Sequence, residues 1–151
     1  MTPSVEIIFA EFGESRFNNG DASLPLDRLE PSLSSFRKYF PEASFVVYTD
    51  QPWEDRDGVT VKRVDPPFDK NHSRFGNRAN DLYDAIGLLE SKADLAIAVD
   101  SDLQILSPDV RTLIPLAMRF GLVMPTNSRK IGWIDFRSSC DGGKTVDECL
   151  G

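Results

Sequence analysis

Apolar positions fall into two rhythms along the chain. Val5 to Ala10 is a short, β-branched run that ends in the polar stretch Glu11 to Asn19, the pattern of a buried strand and its exit loop. Leu26, Leu29, Leu33 and Phe36 then recur at helical spacing as far as Phe40, with Pro31 either opening the regular helix or kinking it and Pro41 ending it. Ser44 to Thr49 and Val59 to Val64 read as the second and third strands, and Asp50-Gln51-Pro52 takes the second into a loop. Asp65 to Asn77 holds Pro66, Pro67, Asn71 and Gly76 and reads as a loop. Leu82, Ile86 and Leu89, widened by Ala79, Ala85 and Leu88, predict a helix from about Arg78 to Ser91. Asp94 to Val99 is a nearly continuous apolar run, the mark of a strand covered on both faces. Ser107 and Pro108 suit the N-cap and first residue of another helix, whose buried face would be Val110, Leu113, Ile114 and Ala117. Gly121 to Met124 predicts a last core strand, before a polar, Gly-rich segment from Thr126 to Gly151.

Strands alternating with helices predict an α/β fold: a mostly parallel, Rossmann-like sheet with helices on both faces, in one domain over residues 1–151. Ligands of such sheets sit at the carboxyl ends of the strands. That rule points to Glu11 to Asn19, Asp50 to Trp53, Asp65 to Asn77 and, above all, Asp100 to Asp102.

Composition removes several classes of function. With 40% apolar and 27% charged residues the chain is neither disordered, collagen-like nor a coiled coil. Its 17 basic and 24 acidic residues leave a net charge of -7, which argues against nucleic acid as the main partner. No apolar run approaches membrane-spanning length, and Met1 to Glu11 lacks the basic start and apolar core of a signal peptide. Cys140 and Cys149 make neither a disulfide framework nor a zinc site, although one disulfide between them stays open. The expectation is a cytoplasmic protein.

Asp100-Ser101-Asp102 follows the apolar run at 94–99, so both carboxylates should emerge at the carboxyl end of a strand. Two hard oxygen ligands this close repel unless a cation lies between them. Mg or Mn suits them, because such ions take one or two protein carboxylates and complete an octahedron with water and substrate phosphate. The implied ligand is a diphosphate. Charge supports the same region: Lys62 to Asn80 holds five basic and two acidic residues, and Arg111 to Arg137 holds five basic and one acidic. Arg74 and Arg78 are placed for a sugar or for the acid pair, and Arg129 and Lys130 for a phosphate.

On these residues the chain resembles the nucleotide-sugar glycosyltransferases of the GT-A fold. The resemblance rests on LAIAVDSDLQILSPDV (Leu95 to Val110), an apolar strand ending in that family's Asp-x-Asp motif. The NRANDLYDAIGLLE helix (Asn77 to Glu90), the opening strand and the SFVVYTD strand (Ser44 to Asp50) extend it over residues 4–127 by order of elements. It implies a hexosyltransferase-type reaction, moving a sugar from a nucleoside diphosphate donor to a glycan, lipid or protein acceptor, with the cation helping the diphosphate leave. Asp102, and Asp100 through water or the donor ribose, would carry the metal end, with Ser101 between them on the donor. Glu11, Phe12, Gly13 and Asp50 would lie near the base, and Arg74, Arg78 and Asp81 near the ribose or sugar.

Relatives usually continue well beyond the motif, where they supply an acceptor wall and, in inverting enzymes, a carboxylate base. Only 49 residues follow Asp102, and Asp135 in GWIDF (Gly132 to Phe136) is the candidate base among their acids. Trp133 and Phe136 are either an acceptor platform or packing residues. The chain is expected to act as a minimal transferase, as a donor-binding half completed by an oligomer or partner, or as a nucleotide-sugar-binding module without turnover. Two rivals remain. A phosphatase of the haloacid dehalogenase type also uses Asp-x-Asp after a strand, but normally on its first strand and followed by a small pair, where Leu103-Gln104 stands here. A purely structural pair would favour the start of the following helix without any metal. His72, upstream of the pair, reads as a loop residue.

Overall fold

The computed structural model describes residues 2–13 and 25–121. Strand β1 (Val5–Glu11) sends alternate side chains to opposite faces, with Val5, Ile7 and Phe9 in one apolar cluster and Ile8 and Ala10 in another. It pairs in parallel with β2 (Ser44–Thr49) on one side and with β4 (Leu95–Val99) on the other. β3 (Val59–Arg63) pairs in parallel with β2, giving the order β3-β2-β1-β4.

Helix α1 (Pro25–Tyr39) covers one face through Leu29, Leu33 and Phe36, with Phe40 just beyond its end. Helix α2 (Phe75–Glu90) covers the other through Phe75 and Ala79, with Tyr83 and Ile86 packed alongside. The result is a parallel α/β sheet of the Rossmann-like class with helices on both faces. Pro31 lies inside α1 and is exposed, so the helix begins earlier than its proline and continues through it. α2 also begins before the expected start at Arg78, because Phe75 and Gly76 belong to its first turn.

One expectation changes. The apolar run at 94–99 predicts a strand covered on both faces, but β4 is the edge of the described sheet, and Leu95 to Ala98 are only half-buried. The most enclosed strand is β1, where Ile7, Ile8 and Phe9 are wholly buried. An apolar run reports hydrophobic demand, which an edge strand with helices near both faces also satisfies. The passage from β2 to β3 uses no helix, in keeping with the loop that Asp50-Gln51-Pro52 predicts. Residues 50–58 cross as a loop that closes in an Arg56↔Val59 bridge, with Asp57 and Gly58 in the left-handed region at φ of 43° and 78°.

Entry to β4 is pinned to β1. Asp94 accepts hydrogen bonds from the Ser4 N–H (2.8 Å) and hydroxyl (2.9 Å), which hold its carboxyl below the ordinary range. Ser107 caps a 3₁₀ helix (Pro108–Thr112) by accepting from the Asp109 N–H, and α3 (Leu113–Phe120) follows directly. Its expected inner residues, Val110, Leu113, Ile114 and Ala117, are half-buried. The chain divides into two units, Met1–Ile114 and Pro115–Gly151. Of the strand expected at Gly121 to Met124, residues 122–124 lie outside the described residues. Among the described residues no helix is long and apolar enough to cross a membrane.

Candidate functional site

All four strands run the same way, so Glu11, Thr49, Arg63 and Val99 end at one edge of the sheet. The chain leaves β4 there in a turn closed by the Leu103 N–H, which donates to the Asp100 carbonyl at 3.0 Å. Ser101 is buried, while Asp100 and Asp102 on either side of it are exposed. The turn rests on α1. The Ser32 hydroxyl lies 2.5 Å from the carbonyl oxygens of both Ser101 and Leu103. One turn further along α1, Ser35 donates to the Ser32 carbonyl at 2.8 Å and accepts from the Ile105 N–H at 3.0 Å. Tyr39 closes the row by donating to the Leu106 carbonyl at 3.1 Å. Beyond it Arg111 donates to the Tyr39 carbonyl at 2.7 Å and pairs with Glu42 at 2.8 Å, which holds the Glu42 carboxyl below its usual range.

The turn after β1 is fixed from two sides. The Phe12 N–H donates to Oδ1 of the buried Asn80 at 3.1 Å, and the Gly13 N–H to Oδ1 of Asp50 at 3.3 Å. Asp50 is in turn held by Gln51, whose side-chain amide donates to the same oxygen at 2.9 Å. Gly13 has φ of 84°, a conformation that favours glycine. Gly76 lets α2 approach so closely that a Cβ there would stand 2.7 Å from the Phe12 carbonyl oxygen.

Positive charge gathers near these turns. Lys70 pairs with Asp65 at 2.8 Å, which raises its pKa, with Asp50 reinforcing and Arg63 opposing the shift. Arg63, Arg74 and Arg78 are exposed, and among the described residues none of them has an ion-pair partner. His72 is an exposed loop residue whose Nδ1 accepts from the Arg74 N–H at 3.1 Å, just before α2 begins. Asp84, on the flank of α2, has its pKa raised to about 6 by burial first, then by the charges of Asp100 and Asp81.

The expected site residues therefore separate. Asp100, Asp102, Asp50 and Gly13 stand at the carboxyl edge, and Arg74, Arg78 and Asp81 are exposed on or just before the first turns of α2. Two of the expected residues lie further inward. Glu11 is the last residue of β1 rather than a loop residue, and at 2% exposure its side chain belongs to the interior. Phe12 is a core residue, with its ring 4.9 Å from that of Tyr83. Both belong to the inside because β1 runs on to Glu11, and α2 closes over Phe12. Asp135, Arg129, Lys130, Trp133, Phe136, Cys140 and Cys149 lie outside the described residues.

Three residues were not legible as site residues: Ser32, Asn80 and Asp84. Ser32 falls three residues after Leu29 and four before Phe36, and Asn80 falls between Ala79 and Tyr83. A polar residue inside an apolar stripe is the signal that finds both, because a buried polar group needs a partner.

Asp100 and Asp102 present carboxylate oxygens, the ligand type that hard cations take. Among the described residues no group of three or more His, Cys, Asp or Glu side chains is arranged to hold a metal by itself. In comparison with known proteins, the chain matches no protein-family model, no curated protein and no solved structure.

Proposed function

We propose that the chain binds a nucleoside diphosphate sugar at the carboxyl edge of its sheet and transfers the sugar to an acceptor, in the manner of the GT-A glycosyltransferases. The observation that carries this reading is the turn after β4, which buries Ser101 and leaves Asp100 and Asp102, on either side of it, exposed. In this reading Asp100 and Asp102 hold Mg or Mn, and that ion supplies Lewis-acid neutralisation of the departing diphosphate. Arg74 and Arg78 bring positive charge to the donor from α2. The Gly13 turn, held by Asp50 and Asn80, faces the base and ribose in this reading.

Calorimetric titration of UDP, GDP and CDP in the presence of Mn, Mg or a chelator tests the donor site before any acceptor is known. One nucleotide is expected to bind with the cation and to lose most of its affinity with chelator. Asp102→Asn should weaken that cation-dependent binding at least about tenfold, the range seen for disturbed metal surroundings. No binding of any nucleotide under any condition, or unchanged binding by the folded Asp102→Asn protein, overturns the reading. Cation-dependent release of nucleoside diphosphate from the matching sugar donor then separates a transferase from a binding module.

A further inference from the structure

Helix α1 has two working faces. Leu29, Leu33 and Phe36 meet the sheet, and beside them Ser32, Ser35 and Tyr39 recur at intervals of three and four, so they form one row. Each of these hydroxyls bonds backbone of the segment from Ser101 to Leu106. The segment is thereby laced to α1 along its length. Ser32 differs from the other two in what it holds. A serine hydroxyl has one proton, yet the carbonyls of Ser101 and Leu103 both converge on it at 2.5 Å. Those two carbonyls bracket Asp102, and the Leu103 N–H closes the turn on Asp100. Ser32 is 1% exposed, so its hydroxyl reaches these carbonyls from inside the fold.

We infer that Ser32 is a positioning residue for the acid pair: its buried hydroxyl draws the Ser101 and Leu103 carbonyls inward and so fixes the separation and direction of the Asp100 and Asp102 carboxylates. The inference rests on the cation–diphosphate reading of that turn. It assigns Ser32 no contact with cation or donor. Without the hydroxyl the two carbonyls face each other across a cavity with no donor between them, and the turn must open to hydrate them. An octahedral ion tolerates little displacement of its ligands, so the cost appears in cation binding.

The experiment compares the wild-type chain, Ser32→Ala and Tyr39→Phe, titrating Mn with the nucleoside diphosphate that the wild-type protein binds, and repeating each titration in chelator. Tyr39→Phe cuts the same lacing at its far end, on Leu106. Ser32→Ala is expected to lose about 10- to 100-fold in the cation-dependent part of the affinity, as disturbed supports of metal ligands typically do. Its residual binding in chelator should match the wild type, and Tyr39→Phe should lose less than about threefold in either. Equal losses in the two variants, a loss that is the same with and without cation, or no loss in Ser32→Ala overturns the positioning role while leaving the donor site standing. Absence of cation-dependent binding in the wild-type chain overturns the donor-site reading itself, and this inference with it. Should Ser32→Ala yield no folded protein, Ser32→Cys leaves no cavity and offers a weaker donor on a somewhat larger atom. Cation-dependent binding by Ser32→Cys is then expected to fall at least about threefold, and wild-type binding by it overturns the inference.

Discussion

Asp84 is held on α2 with its Oδ1 shielded from solvent and, among the described residues, without a hydrogen-bond partner. Burial is the main reason that its pKa rises to about 6, with Asp100 and Asp81 adding repulsion. Because the folded value lies above the ordinary 3.8, the native state keeps a proton that the unfolded chain has already released. Stability therefore falls as pH rises from about 4 to about 6, and the penalty is complete above that window. Asp84→Asn removes the charge at the same volume. It should stabilise the protein by about 1–2 kcal/mol at pH 8, a figure reduced for partial exposure, and by almost nothing at pH 4. Thermal midpoints at the two pH values check this, and an equal gain at both would show that the charge is not the cause. The acid pair at Asp100 and Asp102 is legible in the sequence because an apolar run leads directly to it. Asp84 is not, because its burial and the nearby charge of Asp100 are tertiary effects that helical periodicity does not name.

Packing leaves no room for a side chain where Gly87 of α2 meets the sheet. A Cβ on Gly87 would stand 2.6 Å from Ile8 Cγ2 and 3.1 Å from Tyr48 Cε2. Ile8 is wholly buried and cannot swing away. Alanine is the better helix former by about 1 kcal/mol, but overpacking a closed interface costs about 1–3 kcal/mol. Gly87→Ala should therefore lower the urea midpoint, by the equivalent of about 1–2 kcal/mol, despite improving the helix. A raised midpoint would mean that α2 can lift from β1 without loss. Such contacts separate what periodicity reveals from what it hides. The existence of β1, α1, β2, β3, α2 and β4 is legible because each has its own apolar rhythm. Their neighbours are less so: the run at 94–99 gives no sign that β4 is an edge strand. Nor does the loop at 50–58 show that β3 will lie parallel to β2 without a helix between. In sequence Gly76 reads as a loop residue and Gly87 as a helix weakness, and only the approach of Phe12 and Ile8 makes them contacts.

Across the whole molecule, charge is unevenly distributed. The chain carries a net -7, yet the carboxyl edge of the sheet borders Arg63, Lys70, Arg74 and Arg78, of which only Lys70 has an ion-pair partner among the described residues. Exposed arginines left unpaired in an acidic protein are available to an anion, and their field concentrates it near the edge. Arg74 and Arg78 lie four residues apart at the start of α2, on one side of the helix. If the diphosphate binds beside Asp100 and Asp102, replacing both arginines by Gln should weaken it about tenfold at low salt. Since both are exposed, the thermal midpoint should shift by no more than the equivalent of about 0.5 kcal/mol. Raising the ionic strength decides how they act. A field effect decays within about 8 Å at physiological salt, so the gap between wild type and double variant should narrow as salt is added. A gap that stays constant would mean direct, fork-like hydrogen bonds to phosphate, which salt screens less, and would place both guanidiniums against the bound ligand.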